Sequence, residues 1–250
     1  MINLKLKLFN DVNIPLNNNL TLSGSDIHLW HYFTPCLENN IKTFLQIVSP
    51  DEIKRGERFY KADKQKQFII TRGLLRLILG NYLDREPDQL KFNYGPSGKP
   101  MIDQANNRTT LNFNVSHSHK LSAFVFTLNK RIGVDVEHIR DIKKLDSIIN
   151  RFFTKKEKKL ISNIDNDKRL DFFFKSWTSK EAYLKATGTG LRKSLDKIEL
   201  SLNQSEQDRF TRIYDDTAEA EKWLPISIKP YPKYFTTIVI ETAIRSVTIQ

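Results

Sequence analysis

The sequence predicts an α+β fold whose two halves repeat one pattern. Three observations carry that reading. Strand-like alternation and helix-like spacing occur in one chain, in the order β, α, βββ and then α, βββ. Gly, Pro and Asn punctuate the apolar runs, and no low-complexity linker interrupts them. A chain of 250 residues is long enough for one large domain or two small ones with a real core.

The elements follow in order. Asn13 to Asp26 reads as loop, and "IHLWHYF" after it as a strand. From Ser49, "SPDEIKRGERFYKADKQKQFIITRGLLRLILGNYL" reads as one or two helices. Ser49 can cap, Pro50 suits the first turn, Phe68, Ile69, Leu75, Ile78 and Leu79 recur at helical spacing, and Gly80 is a stop signal. "LKFNYGPSGKPMI" is a strand, a Gly/Pro turn and a strand. "LNFNVSHSHKLSAFVFTLNKRIGVDVEHI" gives a strand, a polar interruption, a strand, a turn at Asn129 and a third strand. "KLDSIINRFF", "TKKEKKLISN" and "DKRLDFFFKSWTSKEAYLKATG" are helical. Alternation returns from about Ile198, where Pro225, Pro230 and Pro232 restrict strands to short pieces.

The net charge of +11 favours an anionic partner: nucleic acid, phosphate, an acidic protein or a membrane surface. The single cysteine, Cys36, excludes an internal disulfide and reads as a small buried or half-buried apolar residue. Lys5 and Lys7 break the N-terminal apolar run, so it reads as neither signal peptide nor membrane span. The other apolar segments are too short or too interrupted to cross a bilayer, and a cytoplasmic protein is expected.

Candidate chemistry starts at "IGVDVEHIR". On a strand, Asp135 and Glu137 point to one face, and two like charges so close call for a cation. On the helix that follows, Trp177, Glu181 and Lys185 share a face, with Lys180 beside it. A carboxylate in that aromatic setting needs a partner. Asp135, Glu137 and Glu181 would form an oxygen-only site suited to Mg²⁺ or Mn²⁺, which also binds phosphate oxygens. Phosphate contacts would come from "GPSGKP", from Ser116 and His117 as donors to an anion, and from Arg72 and Arg76, four apart on a helix. No nucleophile elbow is present to favour a Ser–His pair.

The ordered set "YGPSGKP", "FNVSHS", "IGVDVE" and "FFKSWTSKEAYLKATGTGL" resembles the surfactin-type 4′-phosphopantetheinyl transferases. Gly133, Val134, Asp135 and Glu137, then Trp177, Thr178, Lys180, Glu181, Ala182 and Lys185, match the family signature, and the likeness runs from about Ser49 to Leu191. The resemblance implies a pseudo-two-fold pair of α/β halves, each a small antiparallel sheet packed with helices, with the active site between them. Residues 1–134 would form the coenzyme A half, and 135–250 the half with the metal ligands.

It implies Mg²⁺ on Asp135, Glu137 and Glu181, and Lys185 on phosphate with Lys180 in the same set. Gly98, Lys99 and Pro100 would lie beside the adenosine, and Ser116 and His117 on phosphate. Arg72 and Arg76, or one of Lys54, Arg55, Arg58, Lys61 and Lys64, would meet the 3′-phosphate. The implied reaction moves phosphopantetheine from coenzyme A to a serine of an apo carrier protein and releases 3′,5′-ADP. Glu181 is the first candidate base, and a metal-bound water held by Glu137 its rival. An acidic helix of the carrier would suit the basic enzyme, with the lysine-rich stretch around Leu145, Ile148, Ile149 and Phe152 as part of the docking surface. A monomer without nucleic-acid or membrane partners is expected. A metal-dependent nuclease or phosphohydrolase is the alternative, and a nucleic-acid binder stacking bases on Phe59 and Tyr60 a further one.

Overall fold

In a computed structural model, residues 4–9, 20–103, 110–190, 194–201, 208–244 and 246–249 are described. Leu6 and Leu8 alternate with Lys5 and Lys7 to make β1 (Leu4–Phe9), a strand the sequence reading passed over. Most of the expected Asn13–Asp26 loop lies outside the described residues. The expected strand is β2 (Asp26–Phe33). The chain continues through α1 (Ile41–Ile47), α2 (Pro50–Glu57) and α3 (Ala62–Leu83). The hairpin β3 (Phe92–Tyr94) and β4 (Pro100–Ile102) follows, then β5 (Leu111–Ser118) and β6 (Leu121–Leu128).

The second half opens with β7 (Ile132–His138) and continues through α4 (Leu145–Phe152), α5 (Lys155–Ser162) and α6 (Asn166–Thr187). A second hairpin, β8 (Ile198–Ser201) and β9 (Arg209–Ile213), precedes α7 (Thr217–Glu221), which sequence reading missed. The chain closes with β10 (Trp223–Tyr231), β11 (Tyr234–Glu241) and β12 (Val247–Ile249).

The result is α+β. One sheet has the order β12-β1-β2-β6-β5, the other β10-β11-β7. The second sheet and the β2-β6-β5 part of the first are antiparallel, whereas β1 runs parallel to both of its neighbours. Pairing of β12 with β1 ties the end of the chain to its start.

Three local expectations need correction. Gly80 does not end α3, which runs to Leu83 and stops at Asp84 in the left-handed region (φ 50°). Gly80 is instead a close-approach point, where a Cβ would lie 2.7 Å from the Arg85 carbonyl oxygen. Pro225 and Pro230 do not shorten β10, which is nine residues long. It is an edge strand, where a missing N–H costs no ladder bond, and its pairing slips between Ile228 and Tyr231, around Pro230. Cys36 is exposed, not buried.

The sheets meet along β5 and β7 without backbone pairing. Alternate residues of β5 reach across: Asn114 Oδ1 and the hydroxyls of Ser116 and Ser118 accept from the N–H groups of Val134, Val136 and His138, at 2.9, 3.3 and 3.1 Å. The "polar interruption" is therefore strand, and its polar residues are rungs between two sheets that satisfy buried donors.

Both halves use one clamp. Ser49 and Glu52 close a capping box on α2, and Thr154 and Glu157 close one on α5. Each buried Glu then binds a cation from the long helix that follows. Arg76 Nε donates to Glu52 Oε2 at 2.7 Å and its Nη1 to the Pro87 and Leu90 carbonyls. Lys180 Nζ donates to Glu157 Oε2 at 2.6 Å and to the Phe152 and Leu195 carbonyls. Arg76 is 1% exposed and Lys180 0%. Both were expected on a ligand's phosphates. Arg76 Nε and Nη1 and Lys180 Nζ are instead bonded to internal acceptors, and neither residue lines the cavity described below. Lys180→Met strands a buried carboxylate and is expected to cost about 3–5 kcal/mol by denaturant unfolding. The pair variant Lys180→Met with Glu157→Gln should recover part of that loss.

Candidate active site

The site lies where α6 crosses β7. A Cβ on Gly133 would fall 2.1 Å from the Ala182 carbonyl oxygen and 2.5 Å from the Ala186 nitrogen. Only glycine permits that approach, which brings the helix residues Glu181 and Lys185 over the strand residue Asp135. Lys185 Nζ donates to Asp135 Oδ1 at 2.6 Å and to Ser116 Oγ at 2.8 Å, while Ser116 Oγ donates to Asp135 Oδ1 at 2.9 Å.

Two carboxylate oxygens here are buried and have no hydrogen-bond partner: Asp135 Oδ2 and Glu181 Oε1. Burial raises the Asp135 pKa, opposed by Lys185 and reinforced by Glu137. Burial, then Asp135 and Glu137, pushes Glu181 up to about 7 against the pull of Lys185. Glu137 is turned outward and accepts from Ser118 Oγ at 2.7 Å and Arg140 at 3.5 Å. Among the described residues, no three side chains of metal-binding type stand together in a form that could hold a metal. The two orphaned, mutually repelling carboxylate oxygens are nevertheless the donor chemistry of a hard divalent cation.

A cavity of about 1070 Å³ opens beside these groups. Its walls come from α3 (Lys64, Gln67, Phe68, Thr71, Arg72, Leu75), the β3–β4 turn (Pro96–Pro100), β5 (Asn114, Val115, His117), and the end of α6 with its exit (Glu181, Leu184, Lys185, Gly188–Gly190). Of the basic candidates between Lys54 and Lys64, only Lys64 lines it. Arg55 instead stacks on the Tyr94 ring, 3.8 Å from its centroid. His117 is exposed and lines the cavity. Desolvation, with Lys185, Lys64 and Arg72 nearby, pushes its pKa down to about 4. The cavity lining therefore includes the cations Lys64, Arg72 and Lys185 and the carboxyl of Glu181, among apolar Phe68, Leu75, Val115 and Leu184.

The structure thus gathers Arg72, Gly98, Lys99, Pro100, His117, Glu181 and Lys185 on one cavity, with Asp135 and Ser116 bonded to Lys185 behind it. Glu137 is a neighbour, and Arg76 and Lys180 stand apart. Sequence reading missed Gln67, Thr71 and Phe68. Gln67 is three residues from Lys64 and four from Thr71, and Phe68 is four from Arg72, so the helical spacing was the available signal. On α4, the apolar face is chiefly committed to the core, with Ile149 buried and Leu145, Ile148 and Phe152 half-buried.

Residues 131–238 match the 4′-phosphopantetheinyl transferase superfamily, and residues 32–127 the 4′-phosphopantetheinyl transferase N-terminal family. The chain is 38% identical over 193 residues to the 4′-phosphopantetheinyl transferase HetI of Nostoc, covering 77% of this chain and 81% of that protein. It is 27% identical over 173 residues to the 4′-phosphopantetheinyl transferase Sfp of Bacillus subtilis, covering 69% and 75%. A holo-acyl-carrier-protein synthase structure from Thermotoga maritima aligns at 20% identity, with a TM-score of 0.36, over 44% of this chain and 62% of that one. The chain is a member of the 4′-phosphopantetheinyl transferase superfamily, and so a group-transfer enzyme. It transfers a phosphopantetheine arm to carrier proteins. No helix among the described residues is long and apolar enough to cross a membrane.

Proposed function

We propose that the cavity binds coenzyme A with its 3′-phosphate at the Lys64–Arg72 end and its diphosphate at Lys185, and that the enzyme is of the surfactin type. The observation that carries this reading is a cavity lined by Lys64, Arg72, Lys185 and Glu181, with one unpartnered buried oxygen on Glu181 and a second on Asp135, the carboxylate bonded to Lys185. Asp135 and Glu181 would hold Mg²⁺ or Mn²⁺, with Glu137 the third candidate ligand. The ion would supply charge neutralisation to the diphosphate as it is cleaved and to the departing 5′-phosphate of 3′,5′-ADP.

The remaining work falls to side chains. Lys185 balances phosphate charge. The carrier serine hydroxyl forms a bond to the β-phosphorus, the bond to the bridging oxygen breaks, and 3′,5′-ADP leaves with that oxygen. Glu181 is the candidate base for the hydroxyl proton. The acceptor would be an acidic carrier protein drawn by the +11 charge.

A pseudo-two-fold arrangement, with halves 1–134 and 135–250, is part of the same reading. The matching strand orders β2-β6-β5 and β7-β11-β10, the two 22-residue helices α3 and α6, and the paired Glu52–Arg76 and Glu157–Lys180 clamps support it.

The test has two arms. Incubation with coenzyme A, Mg²⁺ and an apo carrier should add one phosphopantetheine mass to the carrier. At matched, saturating concentrations, coenzyme A should raise Tm by about 3–5 °C more than dephospho-coenzyme A, equivalent to roughly tenfold in Kd. Arg72→Met should shrink that difference. Equal shifts in the wild-type protein would remove the 3′-phosphate subsite.

A further inference from the structure

Two hydroxyls of β5 reach the candidate metal carboxylates of β7 in one repeated arrangement. Ser116 Oγ donates to Asp135 Oδ1 at 2.9 Å and accepts from the Val136 N–H at 3.3 Å. Ser118 Oγ donates to Glu137 Oε2 at 2.7 Å and accepts from the His138 N–H at 3.1 Å. Each hydroxyl joins a carboxylate to the N–H of the residue that follows it. The two units lie two residues apart on both strands, so the arrangement follows the strand period.

Asn114 shows what the hydroxyls add. The N–H it meets, that of Val134, follows Gly133, which has no carboxylate. There the rung is an amide oxygen, and an acceptor is enough. Where a carboxylate precedes the N–H, the rung is a hydroxyl, which accepts and donates through one oxygen. Val115 and His117, the alternate residues of β5, line the cavity, and Ser116 and Ser118 do not. The hydroxyl proton of Ser116 is committed to Asp135, and its oxygen also accepts from Lys185 at 2.8 Å. The donor expected for a phosphate is therefore turned to a carboxylate. Its grip on Oδ1 leaves Asp135 Oδ2 as the unpartnered oxygen. Glu137 has the longer side chain, and a short bond to a hydroxyl leaves it less rotamer freedom to lose when it binds an ion.

We infer that Ser116 and Ser118 are positioning residues: each holds one oxygen of a metal-site carboxylate, Asp135 or Glu137, and so sets the affinity for the divalent cation rather than for coenzyme A itself. This rests on reading Asp135, Glu137 and Glu181 as the metal ligands, and the experiment tells the two apart. Ser118 gives the cleaner test, because it touches Glu137 and the β7 backbone, whereas Ser116 also touches Lys185.

Mn²⁺ affinity is measured by electron paramagnetic resonance on the protein with coenzyme A and no carrier, so the readout is binding and not turnover. Coenzyme A affinity is measured separately by calorimetry in EDTA. Ser118→Ala should weaken Mn²⁺ binding about 10-fold and Ser116→Ala about 10–100-fold, the usual effect of removing a group that orients a metal ligand. In EDTA, the coenzyme A Kd of Ser118→Ala should stay within about twofold of wild type. Ser118→Thr keeps the hydroxyl and should bring Mn²⁺ affinity back to within about threefold of wild type. General destabilisation would neither spare coenzyme A binding nor be reversed by Thr.

A Ser118→Ala Mn²⁺ Kd within about twofold of wild type overturns the inference. So does an equal loss of coenzyme A affinity in EDTA, which would make the hydroxyl part of the cavity wall. A Thr variant as weak as the Ala variant overturns it too. Should Ser118→Ala fail to fold, an unchanged Mn²⁺ Kd in Ser116→Ala overturns it. An Asp135→Ala protein that binds Mn²⁺ as tightly as wild type would instead overturn the metal assignment, and absence of coenzyme A binding by the wild-type protein the assignment of the cavity.

Discussion

Glu181→Gln is expected to lose about 10²–10⁴-fold in turnover, the usual contribution of a general base, and to be more heat-stable than wild type at pH 8 in the absence of ligands. Both effects have one cause. In the folded chain, burial and the nearby Asp135 and Glu137 carboxylates raise Glu181 from 4.5 to about 7. Between pH 4.5 and 7 the folded state keeps a proton that the unfolded state has shed. Stability therefore falls as pH rises through that window, and the deficit is fully present above 7. The shift sets an upper bound of about 3 kcal/mol, and partial exposure of the carboxyl lowers the expected deficit to about 1–2 kcal/mol.

Gln carries no such charge. At pH 8 the variant should melt roughly 2–6 °C higher, and at pH 5 the two proteins should melt nearly alike. A Mg²⁺ titration under saturating coenzyme A and carrier separates base from ligand. A rate that stays low at high Mg²⁺ assigns the proton to Glu181. Full rescue would sink that role and move it to a water near Glu137, leaving the transferase chemistry intact.

Much of the candidate site's placement was legible because local rules decide it there. Alternation in "IGVDVEHI" placed Asp135 on a strand, and four-residue spacing placed Glu181 and Lys185 together on α6, which is where the structure has them. Sequence reading failed where a side chain's reach is decided by distant segments. Lys180 is adjacent to Glu181, but a helix turns about 100° per residue, and that step aims it at Glu157 of α5 rather than at the cavity. Arg76 is one turn from Arg72, yet a capping glutamate 24 residues earlier claims it.

The rungs of β5 were unreadable for a related reason. A polar "NVSHS" looks like an interruption of the strand until a second sheet edge, β7, offers it three N–H groups. The same holds for β1, whose parallel pairing with β2 and β12 needs the far end of the chain.

Asp135→Ala is expected to reduce transfer by about 10²–10³-fold or more while leaving the fold and its melting temperature nearly unchanged. The loss of activity follows from position. Asp135 lies behind the cavity, bonded to both Lys185 and Ser116, and its second oxygen is buried without a partner. The retained stability follows from the same geometry. A buried carboxylate pays a desolvation cost that its single short ion pair only partly offsets, and burial is the largest influence on its pKa.

Removing it leaves Lys185, which is 31% exposed, free to be solvated, so no buried cation is stranded. The net change should be below about 1 kcal/mol, or roughly 2–4 °C in Tm for a chain of this size. A second readout needs no activity at all. Asp135 is the largest charge acting to raise Glu181, so in the variant the Glu181 carboxyl should titrate below 7 by NMR. A folded Asp135→Ala protein with near-native transfer would remove Asp135 from the site. A variant that unfolds would make its role structural, and a Glu181 titration unmoved from about 7 would break the electrostatic coupling between the two carboxyls.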